Sequence, residues 1–523
     1  MVLPYLKPSD VLSYLLVNEP WILLGGLKCG GGAEDLLKSF WRLYKLQHGS
    51  HEVFKMESDN TICLARTIPI LLHGDGGRTQ KKQPLEVVSL LPLLGVNTFE
   101  KALKCSCPKT ETYSGKHGLS DPMVQRLNHQ NHSYLTHFLL FAFPSKRFRL
   151  TPGLLQSMLE AVSKDLGNVC RNGIRMGDAV YNVAVVGMTG DLEYHAKIGL
   201  LTRSYQNVGR RNFLPICPEC LAGDIRYPFE DVSSNPLWKQ SLYRSPPWSQ
   251  PPPFRFIPFE DWNSGAASRF FMRDTFHIFR LGIARNFIGS TIVLFCWNGV
   301  FDSDGDSLAL GNRLIRAWSS FMLWCDTQKV SPSGLRSFSK EKLHMPTTGS
   351  FPWLGCKGSD SIIILKWLRF LSGLHGALDP SSRVFPLTFK AADNGLQFQS
   401  VHRHGIWLKP DCRDRIRRNA KDFVQTYAWL ADYALQNGWQ LYAMVPKIHA
   451  MDHIRVCLEQ SSQNQYTLNP AIADCSMSED FIGRVSRQSR RISYVQIVEN
   501  TLLAYKVKAR FVLQRFKKRK RDR

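Results

Sequence analysis

The stretch from Thr67 to Gly95, "TIPILLHGDGGRTQKKQPLEVVSLLPLLG", constrains the fold of this chain more than any other. It holds two apolar runs, each bounded by Gly or Pro and too short for a buried helix, which is the pattern of core strands covered on both faces. A third such run, "YLTHFLLFAFP", ends at Pro144. Next comes "TPGLLQSMLEAVSKDLGNVCRNG", with Leu154, Leu155, Met158, Val162 and Leu166 at helical spacing, a Thr-Pro start and Gly173 at its close. "VYNVAVVGM" then supplies a fourth strand. A chain patterned in this way is expected to be α/β, a sheet buried beneath helices.

Both ends of this pattern carry an acid. Asp75 follows the first run inside His73-Gly74-Asp75-Gly76-Gly77, and Asp191 follows the last inside Thr189-Gly190-Asp191. Two carboxylates at adjacent strand ends, joined by a third from a later helix, can hold two divalent ions that activate a nucleophile and stabilise the leaving oxygen in phosphodiester displacement. Taken singly, Gly-Asp-Gly reads equally well as a structural turn. The recurrence of an acid past a buried strand, in this order of elements, favours the metal site. Glu459, Asp474, Glu479 and Asp480 are all available as the third acid. Glu479 is the choice because it opens the helix-like "EDFIGRVSRQSRR" behind Ser478 as N-cap, with Asp480 the nearest substitute. An acid in a first helical turn is also favoured by the backbone dipole without any catalytic role.

A second constellation is built from cysteine and histidine. Cys217 and Cys220 in "LPICPECLAGD" have the spacing of half a tetrahedral zinc site, and His449 and His453 in "PKIHAMDHI" stand four apart on one helical face. Together they form a Cys2His2 set; the bland alternative is a tight turn and two surface histidines. Cys105, Cys107 and His117 offer competing ligands, as does the pair Asp274 and His277. Asp302-Ser-Asp304-Gly-Asp306-Ser begins like a calcium loop, but Ser307 and Arg313 stand where glycine and the closing glutamate belong, so calcium is rejected.

Across 523 residues, 67 Lys and Arg against 43 Asp and Glu leave a formal charge of +24, which favours a polyanion. Nucleic acid is the first expectation, with anionic lipid or acidic partners as the alternative. The 13 scattered cysteines and the absence of a leader pattern in "MVLPYLKPSD" suggest a reducing, intracellular setting. Lys366 and Arg369 interrupt the apolar "SIIILKWLRFLSGLHG", so no membrane span is expected. The closing "RFKKRKRDR" reads as a nuclear-import signal or a phosphate-binding tail. The organisation expected is a preamble over 1–60, a first part of the core over 61–223, a mainly helical insertion over 224–441, the zinc-site histidines and last part of the core over 442–500, and a basic tail over 501–523.

The order strand with acid, strand, strand, helix, strand with acid resembles the start of the ribonuclease-H-like fold. With "CPEC" and "MRDTFHIFRLGIARNF" added, roughly Thr67 to Arg491 resembles DDE/D transposases of the CACTA, Mirage and Chapaev group, and more distantly the catalytic subunit of the antigen-receptor recombinase. The resemblance implies a ribonuclease-H-like mixed-sheet core interrupted by the helical insertion. It also implies a two-ion Mg2+ (or Mn2+) site on Asp75, Asp191 and Glu479, where water cuts a DNA strand and the freed 3′-hydroxyl attacks target DNA. Zinc on Cys217, Cys220, His449 and His453 would then be structural, and Asp274 and His277 would support the active site. Arg484, Arg487, Arg490 and Arg491, with Lys517, Lys518, Arg519, Lys520 and Arg521, would neutralise phosphates. The partner implied is DNA in the nucleus, with copies of the chain meeting on element ends as an open option. Two alternatives stand beside this reading: a domesticated or decayed derivative that binds DNA without catalysis, and a nuclease that cuts without joining.

Overall fold

The computed structural model describes residues 3–96, 98, 122, 125–210, 214–347 and 349–521, with the side chains of 520 and 521 outside the description. Cys105, Cys107 and His117 lie outside the described residues. The chain is mixed α/β. Four short helices come first: α1 (Pro8–Asn18), α2 (Pro20–Leu23), α3 (Gly31–His48) and α4 (Glu52–Ser58). The sheet follows with β1 (Thr67–Arg78), β2 (Pro84–Pro92) and β3 (Phe138–Pro144), then helices α5 (Ser145–Leu150) and α6 (Leu154–Asn172), and finally β4 (Ile174–Met176) and β5 (Ala179–Thr189). The strands stand in the order β3-β2-β1-β5-β4. β1 runs antiparallel to β2 and parallel to β5, so the crossover through α6 brings the ends of β1 and β5 side by side.

Both faces of the sheet are covered, which explains why its strands are apolar without alternation. Leu85, Val87, Leu139 and Ala142 face α14 (Ser476–Ser489) and α15 (Ile497–Arg521), which contribute Phe481, Ile482, Val485, Leu502 and Tyr505. Val88, Leu90, Phe141 and Phe143 face the main core together with Leu159 and Val162 of α6. A register shift between Val88 and Ser89 switches the phase of β3: Leu139 and Ala142 share one face although an odd number of steps separates them.

The two ends of the chain differ from expectation. Residues 1–60 are no preamble: Leu12, Leu16, Leu36, Phe40 and Trp41 are buried in the main core, and Ser9 donates to Asp165 of α6 through its amide at 2.7 Å and its hydroxyl at 2.9 Å. The basic segment from residue 501 to 521 is no free tail either. It belongs to α15, which lies on β3 with Leu502, Tyr505 and Leu513 buried. An amphipathic stripe hidden among lysines and arginines made this helix look like a solvated end.

After α7 (Leu192–Ile198) and a long irregular segment, a π-helical stretch at Phe276–Ile283 leads into α8 (Ala284–Trp297), α9 (Leu310–Thr327), α10 (Gly358–Leu378), α11 (Val384–Phe398) and α12 (Pro410–Gln436), the expected helical insertion. Two segments, Phe276–Trp297 and Gly358–Leu378, are long and apolar enough to cross a membrane by length and composition, although 78% of the first is buried inside the protein. β6 (Trp407–Leu408) and β7 (Thr467–Leu468), which precede and follow α12 and α13 (Pro446–Gln460), pair as a separate two-stranded sheet. In the rejected calcium loop, Asp302 is held by Arg313 and Arg316.

Candidate metal centres

The parallel register of β1 and β5 pairs His73 with Thr189, so Asp75 and Asp191 each follow two residues beyond that pair. Asp191 leaves the sheet as the N-cap of α7 and accepts the Tyr194 amide at 2.7 Å. Asp75 is not at a turn. It stays inside β1 opposite Val87, and Gly74, Gly76 and Gly77 have no positive φ. Two of these glycines are there for close approach instead. A Cβ on Gly74 would lie 2.2 Å from the Tyr194 ring, and one on Gly77 would lie 2.3 Å from Ser486 Oγ of α14. Ser486 Oγ also accepts the Arg78 amide at 3.2 Å, so α14 is seated directly on the acid-bearing end of β1.

That seating brings in the third acid. Carboxylate oxygens of Asp75 and Glu479 and a ring nitrogen of His277 lie within 4.8 Å of one another. Burial, then the charges of Asp191 and Glu479, push the Asp75 carboxyl well above the usual carboxylate range. Asp191 therefore belongs to the same electrostatic site. Asp480 does not: it pairs with Arg484 at 2.7 Å and accepts the Ser133 hydroxyl at 2.7 Å. The N-cap of α14 is Cys475 rather than Ser478, and Glu479 sits in the first turn with Ser478 buried behind it.

Asp274 and His277 are drawn into this centre from the insertion. Asp274 accepts the amides of Phe276 at 2.8 Å and of Cys475 at 3.0 Å, tying the π-helical stretch to the start of α14. Its other oxygen meets His277 Nδ1, while His277 Nε2 lies 3.3 Å from Glu479. Burial works against a charged imidazole here, but Asp274, Glu479 and Asp75 outweigh it and raise the His277 pKa to about 10. Lys447, at the start of α13, escaped the sequence reading. Burial lowers its amine pKa, and the charges of Asp191 and Asp274 oppose that shift. Its only sequence signal was its place two residues before His449. Asp75 and Glu479, with Asp191 near enough to act on Asp75, offer an oxygen donor set, which suits Mg2+ or Mn2+, while the charged His277 ring holds Glu479.

The second centre is closed. Cys217, Cys220, His449 and His453 are all buried, with ligand atoms within 4.8 Å of one another. Cys217 Sγ stands 3.3 Å from His453 Nε2, and Cys220 Sγ stands 3.3 Å from both imidazoles. Zn–S bonds of about 2.3 Å and Zn–N bonds of about 2.0 Å at a tetrahedral angle give a similar separation, about 3.5 Å. The two histidines come from one face of α13, and Trp238 packs its ring 4.6 Å and 4.5 Å from theirs. Between the cysteines, Glu219 pairs with Arg273 and accepts the Tyr243 hydroxyl at 2.9 Å. The donor set fits zinc in a structural role, joining the segment after α7 to α13.

The basic residues fare unevenly. Arg487, Arg490 and Arg491 of the α14 end are exposed, as are Lys518 and Arg519 on α15. Arg490 Nε donates to the Arg78 carbonyl at 3.1 Å. Arg484 is engaged by Asp480, and Lys517 by Glu19 at 2.6 Å, so both are committed within the fold. The side chains of Lys520 and Arg521 lie outside the described residues. No protein-family model matches the chain, and no curated protein matches it.

Proposed function

We propose that this chain is a transposase-like enzyme with a ribonuclease-H-like core, which cleaves DNA strands and joins them in a metal-dependent reaction. The observation that carries the reading is the meeting of Asp75 of β1 and Glu479 of α14 with His277 within 4.8 Å of one another, with Asp191 at the end of β5 near enough for its charge to act on Asp75. Mg2+ or Mn2+ bound there would polarise a phosphodiester and lower the pKa of an attacking water or 3′-hydroxyl. Asp75, Asp191 and Glu479 would hold the ions, Asp274 would orient His277 against Glu479, and Lys447 would offer a cation beside Asp191 for a phosphate oxygen. Burial, and then the charges of Asp191 and Glu479, disfavour the Asp75 carboxylate, and bound cations would offset both.

A DNA substrate also accords with the charge of +24 and with an open groove of about 860 Å3 in the insertion, where Lys366, Arg369 and Arg403 alternate with Phe370 and Phe389. The nucleus is the compartment this reading requires, with α15 as the basic element available for import. The test uses the purified chain, Mg2+, and labelled DNA carrying the sequences on either side of the coding region. The expected products are nicked ends and their joints to a supercoiled plasmid, both lost in Asp75→Asn and Asp191→Asn. Nicking without joints would mark a nuclease. Salt-sensitive binding with no cleavage would mark a non-catalytic derivative.

A further inference from the structure

Behind the acidic centre three more ligand-type side chains converge. His129 lies in the loop before β3, His402 in the single helical turn Gln399–Arg403 that follows α11, and Asp474 between Pro470–Ala473 and α14. One ring nitrogen of each histidine and one oxygen of Asp474 lie within 4.8 Å of one another. His402 Nε2 stands 3.5 Å from Asp474 Oδ2 and is buried with no hydrogen-bond partner. An unsatisfied buried imidazole nitrogen aimed at a carboxylate is costly unless a third body lies between them.

Asp474 is already oriented for such a body. Its side chain is 0% exposed, Oδ2 accepts the Thr275 hydroxyl at 2.9 Å, and Oδ1 accepts the Ser476 amide at 3.0 Å. Contacts of this kind fix the direction of a metal-binding carboxylate. Arg280, whose Nε donates to Gln399 at 2.6 Å, adds positive charge nearby and opposes any cation. The site should therefore bind more weakly than the Cys2His2 set and prefer an ion that takes imidazole.

We propose that His129, His402 and Asp474 form a second transition-metal site, for Zn2+ or a similar first-row divalent ion, which pins the loop before β3 and the end of α11 to the start of α14. Two histidines and one carboxylate are a recurring donor set for such ions. The site is distinct from the Cys2His2 set and does not depend on the catalytic reading of the acidic triad. Its structural consequence is to hold the turn from which Glu479 projects.

The test loads the full chain with Co2+ in the Asp75→Asn background, so that the acidic triad contributes little to the count, and measures bound metal and the visible spectrum. His402→Gln and His129→Gln should each lose one ion per chain while keeping the intense thiolate-to-cobalt band. Cys217→Ser should weaken that band and keep the thiolate-free ion. Zinc-edge anomalous scattering from crystals of the unmutated chain should place a peak among the three side chains, a readout that survives if a variant fails to fold. Unchanged metal content in both histidine variants, or no peak there, would overturn the proposal in favour of a plain hydrogen-bonded cluster.

Discussion

Asp75 shows how one side chain acquires a role from its neighbours. Half-buried at the end of β1 and facing two other acids, it is a weaker acid than a free aspartate, and a divalent cation would reverse that. On the catalytic reading, Asp75→Asn should lower strand cleavage by about three orders of magnitude, equivalent to roughly 4 kcal/mol of lost transition-state stabilisation. Asp480→Asn should leave cleavage within a few-fold, because Asp480 serves Arg484 and Ser133 instead; equal losses in the two variants, read as initial rates, would contradict the assignment. His51 carries a pH dependence. It caps α4 by accepting the Val53 amide at Nδ1, and Nε2 meets the Val185 carbonyl at 3.1 Å, which requires the neutral ring. Burial lowers its pKa from 6.5 to about 4. The unfolded chain thus takes up a proton that the folded chain refuses. Stability from this group is fully present above pH 6.5 and lost as pH falls toward 4, by up to about 1.4 kcal/mol per unit. Denaturation midpoints across that window should fall more gently in His51→Asn.

At the scale of elements, the contact of α14 with β1 decides whether the third acid reaches the first. Gly77→Ala would place a methyl 2.3 Å from Ser486 Oγ and 3.0 Å from Ile482 Cγ2. Such overpacking should cost about 1–3 kcal/mol in urea unfolding, and adding Ser486→Ala should recover part of it. Recovery would show that the glycine serves helix packing; none would point to a backbone role. α13 is coupled to the Cys2His2 set in the same way. Chelation at neutral pH should lower the thermal midpoint, with restoration by Zn2+ and not by Mg2+, because thiolate and imidazole donors disfavour the harder ion.

Across the described residues, the main core runs from α1 and α3 through the sheet into the insertion and α13, so the helices near both termini are structural. Removing residues from Ile497 onward should expose Leu85, Tyr134 and Leu139 and yield aggregated protein, as size-exclusion profiles would register. A soluble, cooperatively folding truncation would restore the view of this segment as a tail.

The long strands β1, β2, β3 and β5, the long α6 and the helical insertion could be read in advance, because local apolar runs and their Gly and Pro boundaries are set by nearest neighbours in the chain; the short β4, β6 and β7 carry no such run. The Cys2His2 ligands were equally legible, since each half has its own short spacing. Other features were not. The glycines around Asp75 look like turn residues until Tyr194 and α14 arrive from elsewhere. The basic end of α15 looks solvated until β3 covers its apolar stripe. Glu479 and Asp480 are adjacent and chemically alike, and only the seating of α14 on the sheet sends one toward Asp75 and the other toward Ser133, whereas the Asp480–Arg484 pair is local to the helix. Lys447, His129, His402 and Asp474 had no shared spacing to reveal them. Sequence by itself thus determined the long strands, α6 and the helices of the insertion, and which residues could bind metal. Tertiary structure alone decided which of those residues meet, because carboxylates and imidazoles far apart in the chain interact only once packing has brought them within a few ångströms.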